Sequence, residues 1–228
     1  MGSGQELILT PELDWFALLR EVTEQGAAFA AGAVGLPFCR QLAAELAGGP
    51  YQPVEPVIGH VRQEAESFEV RFGELEQRYP VLTSLYDELA RGVHDHGVPE
   101  WLPNEVVVLR YQPGSIGIAP HRDQRRFAQL VIVITAAGSA PFTLCRNREG
   151  DPIRTWQAGQ GSLVLLRGPG LAGEADGRPL HAVGGPTGTP RTSIGIRMDM
   201  CRSPAPSRRN RAAPVPMYRS RRAPSVRQ

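Results

Sequence analysis

Seven short runs, rich in apolar residues and divided by Gly and Pro, fill the chain from Asn104 to Met200 and constrain its fold more than any other feature. They occupy residues 105–111, 128–135, 141–146, 153–156, 161–166, 180–183 and 191–200. So many short strands with Gly/Pro turns predict an antiparallel sandwich or barrel-like roll. The run Leu130-Val-Ile-Val-Ile134 is apolar on both faces, as a central strand would be.

Before Asn104 the texture is helical. Thr10-Pro11-Glu12 reads as an N-cap, a first helical residue and a first-turn acid, with Leu13, Phe16 and Leu19 continuing the spacing to Gly26. Residues 27–30 fit a short strand. Residues 37–46 fit a second helix, stopped by Gly48-Gly49-Pro50. A loop with Pro50, Pro53 and Pro56 follows. Phe68, Val70 and Phe72 alternate as a strand over 67–72. Residues 80–91 carry Leu82, Leu85, Tyr86 and Leu89 on a third helix. The expected fold is mainly β with flanking α-helices. Residues 1–103 form a flank, 104–200 the core, and 201–228 a tail.

The tail combines Pro204, Pro206, Pro214, Pro216 and Pro224 with eight Arg and no acid, a composition that cannot bury enough apolar surface to offset chain entropy. It reads as disordered. All 25 basic residues of the chain are Arg. Residues 1–200 hold 17 of them against 23 acids, a net −6 beside a tail of +8. The tail's charge would attract nucleic acid, whereas the acidic body argues against a dedicated phosphate-tracking groove. Three widely spaced cysteines, Cys39, Cys145 and Cys201, give no disulfide framework, and no apolar run is long enough to span a bilayer. The opening Met-Gly-Ser-Gly-Gln-Glu-Leu lacks a basic start and an apolar stretch, so a cytoplasmic location is expected, with no membrane partner.

The chemistry centres on Tyr111-Gln-Pro-Gly-Ser-Ile-Gly-Ile-Ala-Pro-His121-Arg-Asp123. On a strand, residues two apart share a face, so His121 and Asp123 could grip one ion. A third ligand is needed, and His181 lies on a later run. Two imidazoles and one carboxylate form a facial triad that leaves the opposite face of an octahedral ion open. In the last run, Arg191, Ser193, Gly195 and Arg197 fall on one face, and Thr192, Ile194, Ile196 and Met198 on the other. Such alternation suits a roll whose interior is a polar pocket and whose outer face packs on helices. Two arginines and a serine aimed inward would hold a small dicarboxylate through charge-assisted, bidentate bonds. The ordered set would bind Fe(II) and 2-oxoglutarate together. Arg122, Arg125, Arg126 and Arg167 lie near these motifs and read either as a frame for an anionic substrate or as a solvated rim. His94-Asp95-His96, between Gly92 and Gly97, reads as a polar loop.

From Asn104 to Met200 the chain resembles the Fe(II)/2-oxoglutarate-dependent dioxygenases, and within them the AlkB-like branch. The resemblance rests on Arg110-Tyr111-Gln-Pro-Gly114 before His-x-Asp, on Gly161-Ser-Leu-Val-Leu-Leu-Arg-Gly168 before the distal His, and on Arg191-x5-Arg197. It implies a double-stranded β-helix, or jelly roll, and iron bound by His121, Asp123 and His181. It also implies that Arg191, helped by Ser193 and the Tyr111 hydroxyl, holds the distal carboxylate of 2-oxoglutarate, with Arg197 nearer the metal. The cosubstrates are then 2-oxoglutarate and O2, and the reaction hydroxylates a substrate C–H bond. Leu109 stands where AlkB-like enzymes usually have Asn, and Arg191-Thr-Ser193 replaces their Arg-x-Asn. Both departures favour a small-molecule or peptide substrate over an alkylated nucleic acid. A jelly-roll binding module without turnover is the non-enzymatic alternative.

Overall fold

A computed structural model describes residues 7–203. Its core is two antiparallel sheets facing one another. The larger holds β1 (Ala27–Ala30), β2 (Gln52–Pro53), β5 (Glu66–Val70), β6 (Glu105–Tyr111), β8 (Phe127–Ala137), β11 (Leu163–Arg167) and β13 (Arg191–Asp199), in the order β1-β11-β8-β13-β6-β5-β2. The smaller holds β3 (Val57–Ile58), β4 (Val61–Glu64), β7 (Gly117–His121), β9 (Ser139–Cys145), β10 (Pro152–Gly159) and β12 (His181–Val183), in the order β10-β9-β12-β7-β4-β3. This is the jelly roll expected. Strand β8 lies between β11 and β13, which explains why its sequence is apolar on both faces. Leu130, Ile132 and Ile134 pack outward under the helices, while Val131 and Val133 face the space between the sheets.

Among the described residues four α-helices flank the roll: α1 (Trp15–Gln25), α2 (Leu36–Ala47), α3 (Phe72–Arg78) and α4 (Pro80–Asp95). Their buried residues, among them Val22, Leu42, Leu46, Leu82, Leu85 and Leu89, form one cluster with Val106, Val108, Ile194 and Ile196 of the larger sheet. The first helix starts later than its sequence suggests. Asp14 is the cap, with its carboxylate accepting from the Ala17 N–H at 2.9 Å, while the Thr10 hydroxyl donates to the Gly32 carbonyl. Two residues of similar capping chemistry compete here, and the tertiary bond claims the threonine. Phe72, read as the end of a strand, instead begins α3, and the strand ends at Val70. Helix α4 is capped from a distance: both oxygens of Glu45 on α2 accept the N–H groups of Val81 and Leu82, at 2.8 and 2.9 Å. Such a carboxylate satisfies two orphan donors and faces the positive end of the helix dipole.

The segment before Asn104 contributes strands to both sheets as well as helices. At the C-terminal end of the described residues, Arg202 pairs with Glu69 and with Asp199. The tail read as disordered lies, beyond residue 203, outside the described residues. No helix of the described residues is long and apolar enough to cross a membrane.

Candidate metal centre

Strand β12 inserts between β9 and β7, and its register places His181 directly opposite His121. Cross-strand neighbours lie within about 5.5 Å at Cβ, so the pairing alone brings two imidazoles together. Their ring centroids are 4.3 Å apart. Asp123 completes the group, and ligand atoms of His121, Asp123 and His181 lie within 4.8 Å of one another. Among the described residues this is the single His/Cys/Asp/Glu group able to hold an ion. His121 closes β7, and Asp123 lies in the loop just beyond it, so the pair does not share a strand face as the sequence suggested. The loop is pinned instead by Arg178, whose guanidinium donates to the Asp123 carbonyl.

Both rings are oriented by their own backbone. Nδ1 of His121 lies 2.9 Å from the Ala119 carbonyl, and Nδ1 of His181 lies 3.3 Å from the Pro179 carbonyl. A carbonyl can only accept, so each Nδ1 carries a proton, and in the neutral ring Nε2 is the nitrogen left with a lone pair. Phe142 stacks on His181 with planes 8° apart. Burial, with the neighbouring His121 adding to it and Asp123 opposing, lowers the His181 pKa to about 4. At neutral pH the ring is therefore an uncharged donor, the form a metal requires.

The inward face of β13 is as the sequence predicted. Arg191, Ser193, Gly195 and Arg197 line a cavity of about 70 Å³ with Tyr111 and the three candidate ligands. Ile194 and Ile196 lie on the opposite face, in the helix–sheet core. Arg191 is 1 % exposed, and no carboxylate pairs with it among the described residues. Its Nη1 donates to the Ser193 hydroxyl at 3.2 Å and its Nη2 to the Thr135 hydroxyl at 2.9 Å, leaving Nε without a partner. An unpaired buried charge is costly, and the arrangement fits a site completed by an anion. Tyr111 lies opposite Arg191 on β6, its ring centre 5.8 Å from the guanidinium carbon. Burial raises the phenol's pKa, so it stays protonated and able to donate. Arg197 borders the same cavity, stacks over Phe127 and reaches Glu105 at 3.5 Å.

Other candidates from the sequence go elsewhere. His94 bonds its neighbour Asp95 at the surface, and His96 bonds the Gly92 carbonyl beside Trp15 and Phe16. Arg126 turns to the buried Asp199. Thr135 also holds Arg191, and no sequence signal marks one threonine at the end of an apolar run.

Gly117 sets the spacing behind the two histidines. It has φ +75°, and a Cβ there would come within 2.0 Å of the Val183 carbonyl oxygen on β12. Gly117→Ala is expected to force β7 from β12 and destabilise the fold by about 1–3 kcal/mol, read by thermal melting. Gly188→Ala, with nothing near the added carbon, should melt as the parent does.

No family model matches this chain, and no curated protein matches it. Solved structures do resemble it. A prolyl-4-hydroxylase from Pseudomonas putida aligns over 81% of this chain and 98% of its own, at 18% identity and a TM-score of 0.56. An oxidoreductase of the 2OG-Fe(II) oxygenase family from Burkholderia pseudomallei aligns over 86% and 95%, at 16% identity and a TM-score of 0.57. A prolyl hydroxylase from Trichoplax adhaerens, in complex with a peptide fragment of hypoxia inducible factor, aligns over 80% and 87%, at 11% identity and 0.56. At these identities the likeness is one of fold.

Proposed function

We propose that this chain is an Fe(II)/2-oxoglutarate-dependent dioxygenase that hydroxylates a C–H bond of a small molecule, amino acid or peptide. The observation that carries the reading is the convergence of His121, Asp123 and His181 on one cavity with a buried arginine that has no acidic partner among the described residues. The donor set suits a divalent first-row metal with positions left for other ligands. The three residues would hold iron, and Arg191, with Ser193 and Thr135 behind it, would hold the far carboxylate of 2-oxoglutarate. Tyr111 would donate to the same carboxylate, and Arg197 would face the end nearer the metal. When bound, iron and 2-oxoglutarate supply the oxidation, which consumes O2, releases succinate and CO2 and leaves one oxygen atom on the substrate.

The protein's part is positional. The carbonyls of Ala119 and Pro179 fix the imidazole tautomers, and Phe142 fixes the His181 ring. Burial of His181, Tyr111 and Arg191 keeps bulk water from the cavity and strengthens each charge-assisted bond inside it. The prolyl hydroxylases among the similar structures, together with Leu109 and Ser193, support a small-molecule or peptide substrate over the AlkB-like reading on nucleic acid.

The test is anaerobic absorption spectroscopy with Fe(II) and 2-oxoglutarate added in turn. The expected result is a visible charge-transfer band that requires both additions. A folded protein that gives no band would instead be a jelly-roll binding module.

A further inference from the structure

The cavity around the metal ligands is too small for a substrate, and the open space beside it is a cleft of about 560 Å³. Volumes of roughly 300–1,000 Å³ are typical of small-molecule sites. The cleft adjoins the candidate centre through three elements. Leu180 precedes His181, Leu144 is the register partner of His181 on β9, and Arg122 sits between His121 and Asp123.

Its walls carry Arg122, Arg125, Arg154, Arg167 and Arg178, with Asp176 the one acid. Asp176 grips Arg178 through both oxygens, at 2.7 and 2.8 Å, and reaches Arg125 at 3.2 Å. Glu21 pairs with Arg154 at 2.7 Å. Five guanidiniums against these two carboxylates leave a surplus of three positive charges, on a body whose net charge is negative.

Arg122 and Arg167 have no acidic partner among the described residues, yet neither is loose. Nε of Arg122 donates to the Arg178 carbonyl at 3.1 Å. Arg167 donates from Nε to the Gly177 carbonyl at 2.9 Å and from Nη1 to the Thr23 carbonyl at 2.6 Å. Carbonyls hold a guanidinium in place without neutralising it, so part of the entropy cost of forming an anion contact is already met. A merely solvated rim has no need of such tethers. Leu144, Ile153, Pro179 and Leu180 supply apolar wall between the charges.

We propose that this cleft binds the substrate, and that the substrate is a small molecule with an apolar body and a phosphate or carboxylate group held by Arg122 and Arg167. The placement of substrate rests on the dioxygenase reading; the anion site itself does not.

The experiment is isothermal titration of the full chain, kept anaerobic with Fe(II) and saturating 2-oxoglutarate so that the Arg191 pocket is filled. Inorganic pyrophosphate and citrate serve as separate probes of phosphate and carboxylate. The expected result is saturable binding of at least one probe that weakens with salt, falls at least about tenfold in Arg122→Gln and in Arg167→Gln, and is unchanged in Arg40→Gln. The charge-transfer band should persist in Arg167→Gln. A band with no probe binding, or binding equal in parent and variants, overturns the cleft proposal alone. Probe binding that needs both arginines in a protein without the band sustains the anion site and overturns the dioxygenase reading. A single-stranded oligonucleotide that binds more tightly than either probe, through the same two arginines, overturns the small-molecule assignment.

Discussion

Replacing His181 by Ala is expected to abolish Fe(II) binding and with it the charge-transfer band. Two donors, His121 and Asp123, would remain, on a stretch held to the rest of the site by Arg178. Loss of an outer partner of a metal ligand costs roughly 10–100-fold in affinity, and loss of the ligand itself should exceed that. Of the three, His181 is the most buried, at 4 % exposure, and its ring lies flat on Phe142. Truncation therefore leaves an apolar gap that offers the metal nothing in exchange. Anaerobic Fe(II) titration measures the loss, and a circular dichroism melt checks that the variant is folded. Retention of near-parental Fe(II) affinity in a folded variant would remove His181 from the ligand set.

The second prediction separates the cosubstrate from the metal. Arg191→Ala should leave Fe(II) affinity close to the parent's and weaken 2-oxoglutarate. Breaking a buried charge pair by removing one partner costs about 3–5 kcal/mol, which corresponds to roughly 10²–10⁴-fold in affinity. Arg191→Lys should recover only part of it, because an ammonium cannot supply the planar fork. Melting without ligands gives the complementary readout. Arg191 is a buried cation whose Nε has no partner, and burial lowers its pKa. Its replacement by Met should leave the ligand-free protein at least as stable, since the solvation penalty goes with the charge. Equal loss of Fe(II) and 2-oxoglutarate in Arg191→Ala would mean that the residue holds the fold rather than the cosubstrate.

How far the sequence discloses this molecule depends on whether the signal is local. The two faces of β13 are legible because alternation is a property of one strand: polar Arg191, Ser193 and Arg197 against Thr192, Ile194 and Ile196. The centre of β8 is legible because a run apolar on both faces has to be covered on both sides. Strand β7 is hidden, since Gly117 and Pro120 interrupt the pattern that would announce it. Strands β2 and β3 are two residues each, too short for periodicity to register. The Glu45 cap of α4 joins residues 36 and 37 positions apart, and the arginine cleft draws on six separate stretches. No spacing rule reaches such contacts. Arg126 shows the converse, being adjacent in sequence to Arg125 yet committed to Asp199.

The division of β13 between core and cavity also bears on which insertions and deletions this chain can survive. Moving the strand by one residue exchanges every side chain between its faces. Guanidiniums would then enter the layer of leucines beneath the helices, and isoleucines would fill the space kept for an anion. The pairing with β8 shifts register on both sides of the Ser193–Arg197 stretch, between Thr192 and Ser193 and again between Arg197 and Met198, which gives that alignment two fixed stops. A single-residue deletion between those stops would therefore remove stability and ligand binding in one event. Length variation in this lineage should be confined to the connections, such as the segment from Pro169 to Gly177 ahead of His181, where a changed residue count alters access to the centre without exchanging the two faces of β13.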